Sequence, residues 1–467
     1  MKRRTYRLEL DIYGLNDANQ NTSFIKDMKV GTTMENRPTG VNIFSIGTVL
    51  MYIYVFMSFT ALDIVISSRW TTVTLYAFLT WGIFTALVIA LKEGRFYFSA
   101  YSLWYFLFLI ASLIIMLYSR EKSLLTGQFY FMLVTLCLTY VIQMFINDEN
   151  AFRKLCWAYS ISSFALVAIL FFTGNLKGTS QSRLGAEIMS GANVFATVMM
   201  VAVMFELWLV VYDAKKIGVR LILASMIAAN MYSLILSAGR KFFVVPFIFL
   251  YILFLFKADK NGRKHIIRYT IFIILLLFIA YNLIMRVPVF YQALGYRMES
   301  YINALFGAGT GGDSAEIREK MRVLGLREWV KSPVWGYGFD SFKFYARYAV
   351  GRFFYSHCNY VELLYNGGIL YFLLYYWIYL KIIMEAFLKK SAQLKYKAFA
   401  VAVAVGFLVF DYGAVSYSVT ILHIMLAMAI KVLSFEKESE KVGVIYKQEQ
   451  NPYVLDERGP GYNHAYL

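Results

Sequence analysis

Ionisable side chains at the ends of long apolar runs are where this sequence could do chemistry, since charge at membrane depth costs free energy unless it has a partner or a task. Four clusters qualify. Arg183 precedes an apolar run that Asn193 opens, and Arg240 closes the stretch Leu236-Ser237-Ala238-Gly239-Arg240; Arg318 and Arg322 are four residues apart, and His357 and Glu362 flank the mouth of a further run. Each has an ordinary explanation when taken alone. An arginine near a helix end snorkels to the headgroups, an Arg pair decorates a solvated or lipid-facing surface, and a glutamate pairs with a neighbouring helix. Gathered into one pocket they describe something more specific. Guanidinium forks match phosphate oxygens bidentately, and an imidazole could take a proton from an attacking hydroxyl. Nearby arginines would keep that imidazole neutral, as a base requires. A lipid pyrophosphate sugar is the substrate such a pocket would suit.

What is missing from the sequence points the same way. The run Gly307-Ala308-Gly309-Thr310-Gly311-Gly312 follows no strand and lacks the Lys-Ser or Lys-Thr ending of a phosphate loop, so it reads as a turn. No Asp-x-Asp or His-x-x-x-His cluster offers metal-ligand spacing around the four clusters. No metal or cofactor is therefore expected, and arginine must serve as the clamp. Asp148-Glu149 reads as a solvated loop, and His265, His423 and His464 are scattered elsewhere. Cys137 and Cys156 fall in apolar runs and Cys358 at a run's mouth, which makes no disulfide framework.

The elements that must position these residues are membrane spans. Of 467 residues, 59% are hydrophobic and 16% charged, more apolar surface than a soluble chain of this length can bury. Twelve spans are expected, near 42–62, 71–91, 97–118, 124–146, 155–173, 192–212, 220–238, 242–256, 266–285, 359–381, 397–410 and 416–433. The first forty residues carry seven Lys or Arg and no apolar core, so the first span is expected to act as an uncleaved insertion signal. Lys and Arg resist translocation in short loops. They crowd into residues 213–220, 257–268 and 381–397, which sets those loops, and both termini, in the cytoplasm of a plasma (inner) membrane protein.

That register divides the chain into a cytoplasmic segment 1–40, a membrane domain 41–435 and a cytoplasmic tail 436–467. Residues 286–357 form a large outer loop with ten Lys or Arg against six Asp or Glu, a surface for anions. The overall charge of +17 is explained by basic loops facing anionic headgroups and gives no reason to invoke nucleic acid. Within the outer loop, Asp313-Ser314-Ala315-Glu316 reads as a helix start, predicting a helix from Ser314 to about Lys331. Its apolar stripe would be Ile317, Met321 and Leu324, with Arg318 and Arg322 on one face, as in a basic helix lying on a membrane. Gly336-Tyr337-Gly338-Phe339 then reads as a turn leading back to the bilayer at His357.

These residues also carry a resemblance. His357-Cys358-Asn359-Tyr360-Val361-Glu362-Leu363-Leu364 with Gly367-Gly368-Ile369 resembles the histidine motif of the O-antigen ligase and polymerase family. Arg318 with Trp329, Pro333 and Gly336-Tyr337-Gly338, Arg183 with Asn193-Val194-Phe195-Ala196, and Ser237 through Arg240 are similar to that family's other motifs. Together they cover roughly residues 180–385. The resemblance implies an all-α, C-type glycosyltransferase membrane fold and metal-independent transfer of an undecaprenyl-pyrophosphate-linked glycan. It implies that His357 activates the acceptor hydroxyl and that Arg183, Arg240 and Arg318 bind the pyrophosphate; with the residues beside them, the expected site has His357, Arg240 and Arg318 as catalytic and Arg183, Asn193, Arg322, Tyr360 and Glu362 as substrate-binding. Two positions depart from the family: Cys358 stands where Asn is common, and Arg322 where an aromatic residue is frequent. The expected function is polymerisation of lipid-linked repeat units into O-antigen, capsule or exopolysaccharide, the acceptor being a second unit. Expected partners are that donor and acceptor, membrane lipids, and a chain-length regulator or flippase. Two alternatives stay open: a ligase delivering glycan to lipid A core or another acceptor, and a flippase or exporter. A transporter would carry basic residues through the midplane and pseudo-symmetric halves.

Overall fold

The structure, a computed structural model, describes residues 43–59, 69–94, 98–119, 125–189, 191–259, 262–305 and 313–435. All belong to one unit that begins at Ile43. The expected cytoplasmic segments 1–40 and 436–467, and the glycine run 307–312, lie outside the described residues.

Every regular element among the described residues is helical. The chain runs through α1 (Ile43–Phe59), α2 (Arg69–Glu93), α3 (Ala100–Leu117), α4 (Leu125–Phe145), α5 (Glu149–Phe172), α6 (Ala192–Trp208), α7 (Ile217–Leu236), α8 (Arg240–Asp259) and α9 (Arg263–Arg286). A connecting region follows: α10 (Pro288–Phe290), a π-helical turn Tyr291–Gly295, α11 (Tyr296–Leu305), α12 (Asp313–Trp329) and α13 (Phe342–Val350). It leads into α14 (Asn359–Leu388), α15 (Leu394–Asp411) and α16 (Thr420–Val432). Nine helices among the described residues, α2 to α9 and α14, are long and apolar enough to cross a membrane, and α1 and α16 are shorter apolar helices. The protein is a polytopic helical membrane protein. Some expected ends move: Arg240 is the first residue of α8 rather than the close of the preceding helix, and α14 runs seven residues past 381.

Depth in the bundle varies widely. The span that α6 opens is mostly buried, whereas that of α9 is almost entirely exposed. A helix apolar on all sides belongs at the centre, and Phe195 to Trp208 are all buried. α15 is similarly enclosed, and α8 packs along it, with Gly406 close enough to α8 that a Cβ there would meet Val245 at 3.4 Å. At one end of the bundle Trp208 donates to the Lys395 carbonyl (3.1 Å), Lys395 pairs with Glu149 (3.1 Å) and Arg153 approaches Asp213 (3.7 Å). Glu149, expected to be a solvated loop acid, is thus tied to the start of α15.

α14 is broken at Gly368, whose backbone (φ 70°, ψ −167°) is not helical. The break opens the helix to the segment before it. Tyr337 N–H donates to the Tyr365 carbonyl (2.9 Å), Gly338 N–H to the Asn366 carbonyl (2.8 Å), and Ile369 N–H to the Pro333 carbonyl (2.8 Å). A Cβ on Gly368 would sit 2.1 Å from the Val334 oxygen, so glycine is needed both for the conformation and for the approach. The far side of the same segment reaches α3's end, where Ser119 donates to the Phe339 carbonyl (3.1 Å). Residues 333–339 are therefore stitched between two helices rather than forming a free turn. α12 leans on this assembly instead of lying free on a bilayer surface. Met321 is buried with Phe342, Ala346 and Tyr365, and a Cβ on Gly325 would meet Val361 at 2.3 Å.

Candidate functional site: a cationic cluster around His357

The α7–α8 turn is the first anchor. Arg183, in the loop between α5 and α6, donates through Nε to the Ser237 carbonyl (2.7 Å) and through Nη2 to Asn193 Oδ1 (3.0 Å). Backbone pairing supports the reach, with Leu184 N–H on the Leu236 carbonyl (3.1 Å). Arg297, on α11, donates to the Ala238 carbonyl (3.1 Å), while Arg240 donates to the Arg297 carbonyl (2.9 Å) and lies 4.7 Å from the Tyr301 ring centre. Three guanidinium groups from separate parts of the sequence are thus gathered by the carbonyls of one turn and its partner.

His357 is the second anchor, on the turn entering α14. Arg318 and Arg322, on α12, lie close enough to act on its charge; Arg322 pairs with Glu319 and lies 4.6 Å from the Tyr412 ring centre. Lys241 donates to the Gly413 carbonyl (2.7 Å) at the end of α15. The two anchors meet electrostatically. Burial pushes the Arg183 guanidinium down to about 10, helped by Arg297 and Arg318; burial, then Arg240, Arg297 and Arg322, does the same to Arg318. Burial also lowers Arg297. Arg183 and Arg318 remain charged at neutral pH. His357 is driven down to about 4, first by burial and then by Arg318, Lys241 and Arg322, so its imidazole is neutral.

Positive charge here is poorly balanced. Of the five arginines, Arg322 alone forms an ion pair among the described residues, and the buried Arg318 Nε has no hydrogen-bond partner among them. Clustered cations that have lost part of their hydration hold a high potential for an anion. Backbone strain marks the same place. Among the described residues, the non-glycine positions with positive φ are Met189, Ala238, Asp340 and His357, one each on the Arg183 loop, the α7–α8 turn, the end of the segment stitched to α14 and the histidine turn. Strained backbone persists where surroundings enforce it, and such positions cluster at functional sites.

Of the sequence-derived residues, Arg183, Arg240, Arg318, Arg322 and His357 come together. Asn193 is the acceptor that orients Arg183. Glu362 is fully buried and its carboxylate accepts from Ser356 N–H (2.8 Å). Tyr360 donates to the Leu408 carbonyl (2.6 Å), turning its hydroxyl toward α15. Two cations of the cluster, Arg297 and Lys241, are not among the sequence-derived residues. Lys241 directly follows Arg240, and that adjacency is its sequence signal; Arg297 sits in a short polar helix with no spacing to distinguish it. Among the described residues no group of three or more His, Cys, Asp or Glu could hold a metal ion. A scan against protein-family models finds no match for this chain, and a search of curated proteins finds none.

Proposed function

We propose that this protein is a metal-independent membrane glycosyltransferase that polymerises undecaprenyl-pyrophosphate-linked oligosaccharide units at the outer face of the plasma membrane. The observation that carries the reading is the clustering of Arg183, Arg240 and Arg297 with Arg318, which in turn acts on a neutral histidine, with few ion pairs to offset them. In the reaction, a hydroxyl of the acceptor sugar attacks the anomeric carbon of the donor. The bond from that carbon to the phosphate oxygen breaks, and lipid pyrophosphate leaves with the electron pair. His357 takes the hydroxyl proton, and the guanidinium groups hold the pyrophosphate and offset the charge that grows on it.

The proposed topology has twelve spans, with α1, α15 and α16 completing the nine longer ones, in a C-type glycosyltransferase-like arrangement. Both termini are then cytoplasmic, and residues 286–357 lie outside. Supporting this side assignment, the short loops at the opposite end carry the Lys and Arg of residues 213–220, 257–268 and 381–397.

Purified protein in lipid nanodiscs, supplied with lipid-linked units, tests the proposal. Wild type is expected to lengthen the glycan, and His357→Ala, folded and membrane-inserted, to leave the units unpolymerised. Undiminished growth in that variant would reject the assignment. Offering lipid A core as acceptor in a parallel reaction separates polymerase from ligase.

A further inference from the structure

His357 holds a left-handed backbone conformation (φ 56°) that a residue with a Cβ does not keep unaided. Its neighbours supply the support. Ser356 N–H donates to Glu362 Oε2 at 2.8 Å, and Ser356 Oγ donates to the Cys358 carbonyl at 2.7 Å. That carbonyl also accepts from Glu362 N–H at 3.0 Å. One carboxylate, in the first turn of α14, therefore ties the residue before His357 to the helix after it. Glu362 is fully buried and forms no ion pair among the described residues. What the turn takes from it is an acceptor oxygen. A buried N–H left without that acceptor would pull the turn toward another arrangement.

We infer that Glu362 is a positioning residue whose carboxylate oxygen locks the Ser356–Cys358 turn and so keeps the His357 imidazole beside Arg318, Arg322 and Lys241. This assigns Glu362 a task other than touching substrate. It rests on reading His357 as the base, and its test is chosen so that the two can fail separately.

Protein labelled with 15N-histidine gives four ring environments, and the one lost in His357→Ala is His357. In Glu362→Ala the titration midpoint of that ring is expected to climb toward the ordinary histidine range by about one unit or more. Transfer between lipid-linked units should fall on the order of 100-fold, while inorganic pyrophosphate still binds within about threefold of wild type, since Arg183, Arg240 and Arg318 lie on other segments. Glu362→Gln retains an acceptor oxygen and should keep both the titration and the rate within about fivefold. Should the alanine variant not fold, Glu362→Leu fills the same buried volume without the acceptor. A wild-type His357 titration in Glu362→Ala or Glu362→Leu overturns the inference, as does a glutamine variant impaired as severely as alanine. These ring measurements need no turnover, so they hold even where wild type shows no transfer.

Discussion

An imidazole among guanidinium groups is a poor base until an anion arrives. Burial, then Arg318, Lys241 and Arg322, hold His357 down to about 4; inorganic pyrophosphate in the cluster should offset the repulsion and move the ring's titration upward, toward working pH. Nuclear magnetic resonance with and without pyrophosphate measures this, and an unmoved midpoint at saturation would contradict the arrangement. The same depression has a stability sign. An unfolded chain protonates His357 near the ordinary value of about 6.5, so between there and about 4 the unfolded state binds more protons. Stability carried by this group is full above that window and is lost as pH falls through it; His357→Gln should show a shallower acid loss in thermal unfolding. Strain predicts a further contrast: His357→Gly should be more stable than His357→Ala by about 1 kcal/mol, because glycine takes positive φ freely. Arg183, Arg240 and Arg318 were legible because charge beside apolar runs stands out. Arg297 was not, since a guanidinium in a polar segment looks like any surface residue until its carbonyl partner is known.

Elements were legible where periodicity and capping speak, and illegible where two segments complete each other. The basic helix expected at Ser314 to Lys331 is α12, Asp313–Trp329, and its apolar stripe does turn inward at Met321. Nothing in the run Gly367-Gly368-Ile369 announces a broken helix, because glycine is tolerated inside apolar helices; the break becomes necessary only once the Tyr365 and Asn366 carbonyls and the Ile369 N–H are seen serving residues 333–338. Gly368→Ala forces a methyl onto the Val334 oxygen (2.1 Å) at positive φ and should cost about 2 kcal/mol or more. Hydrogen exchange at the Tyr337 and Gly338 amides should accelerate with it, and unchanged exchange would show that the stitch does not depend on the break.

For the molecule as a whole, apolar counts find the helices but cannot rank them. Lipid tails are as apolar as a protein core, so α6 and α9 read alike in sequence although one is central and the other nearly bare to its surroundings. Substitution separates them: Phe205→Ala, fully buried on α6, should cost about 3–5 kcal/mol, whereas Ile274→Ala, 61% exposed on α9, should stay within about 0.5 kcal/mol. Comparable losses in thermal unfolding would mean that α9 has a protein partner. Crowding so many guanidinium groups at one pole also has a kinetic side. Dissolved anions will be steered there from beyond contact range, with an arrival rate that drops steeply once added salt shortens the screening length below about 10 Å. Departure depends on local bonds and will respond far less, so residence time, rather than encounter, governs how long the pole stays filled.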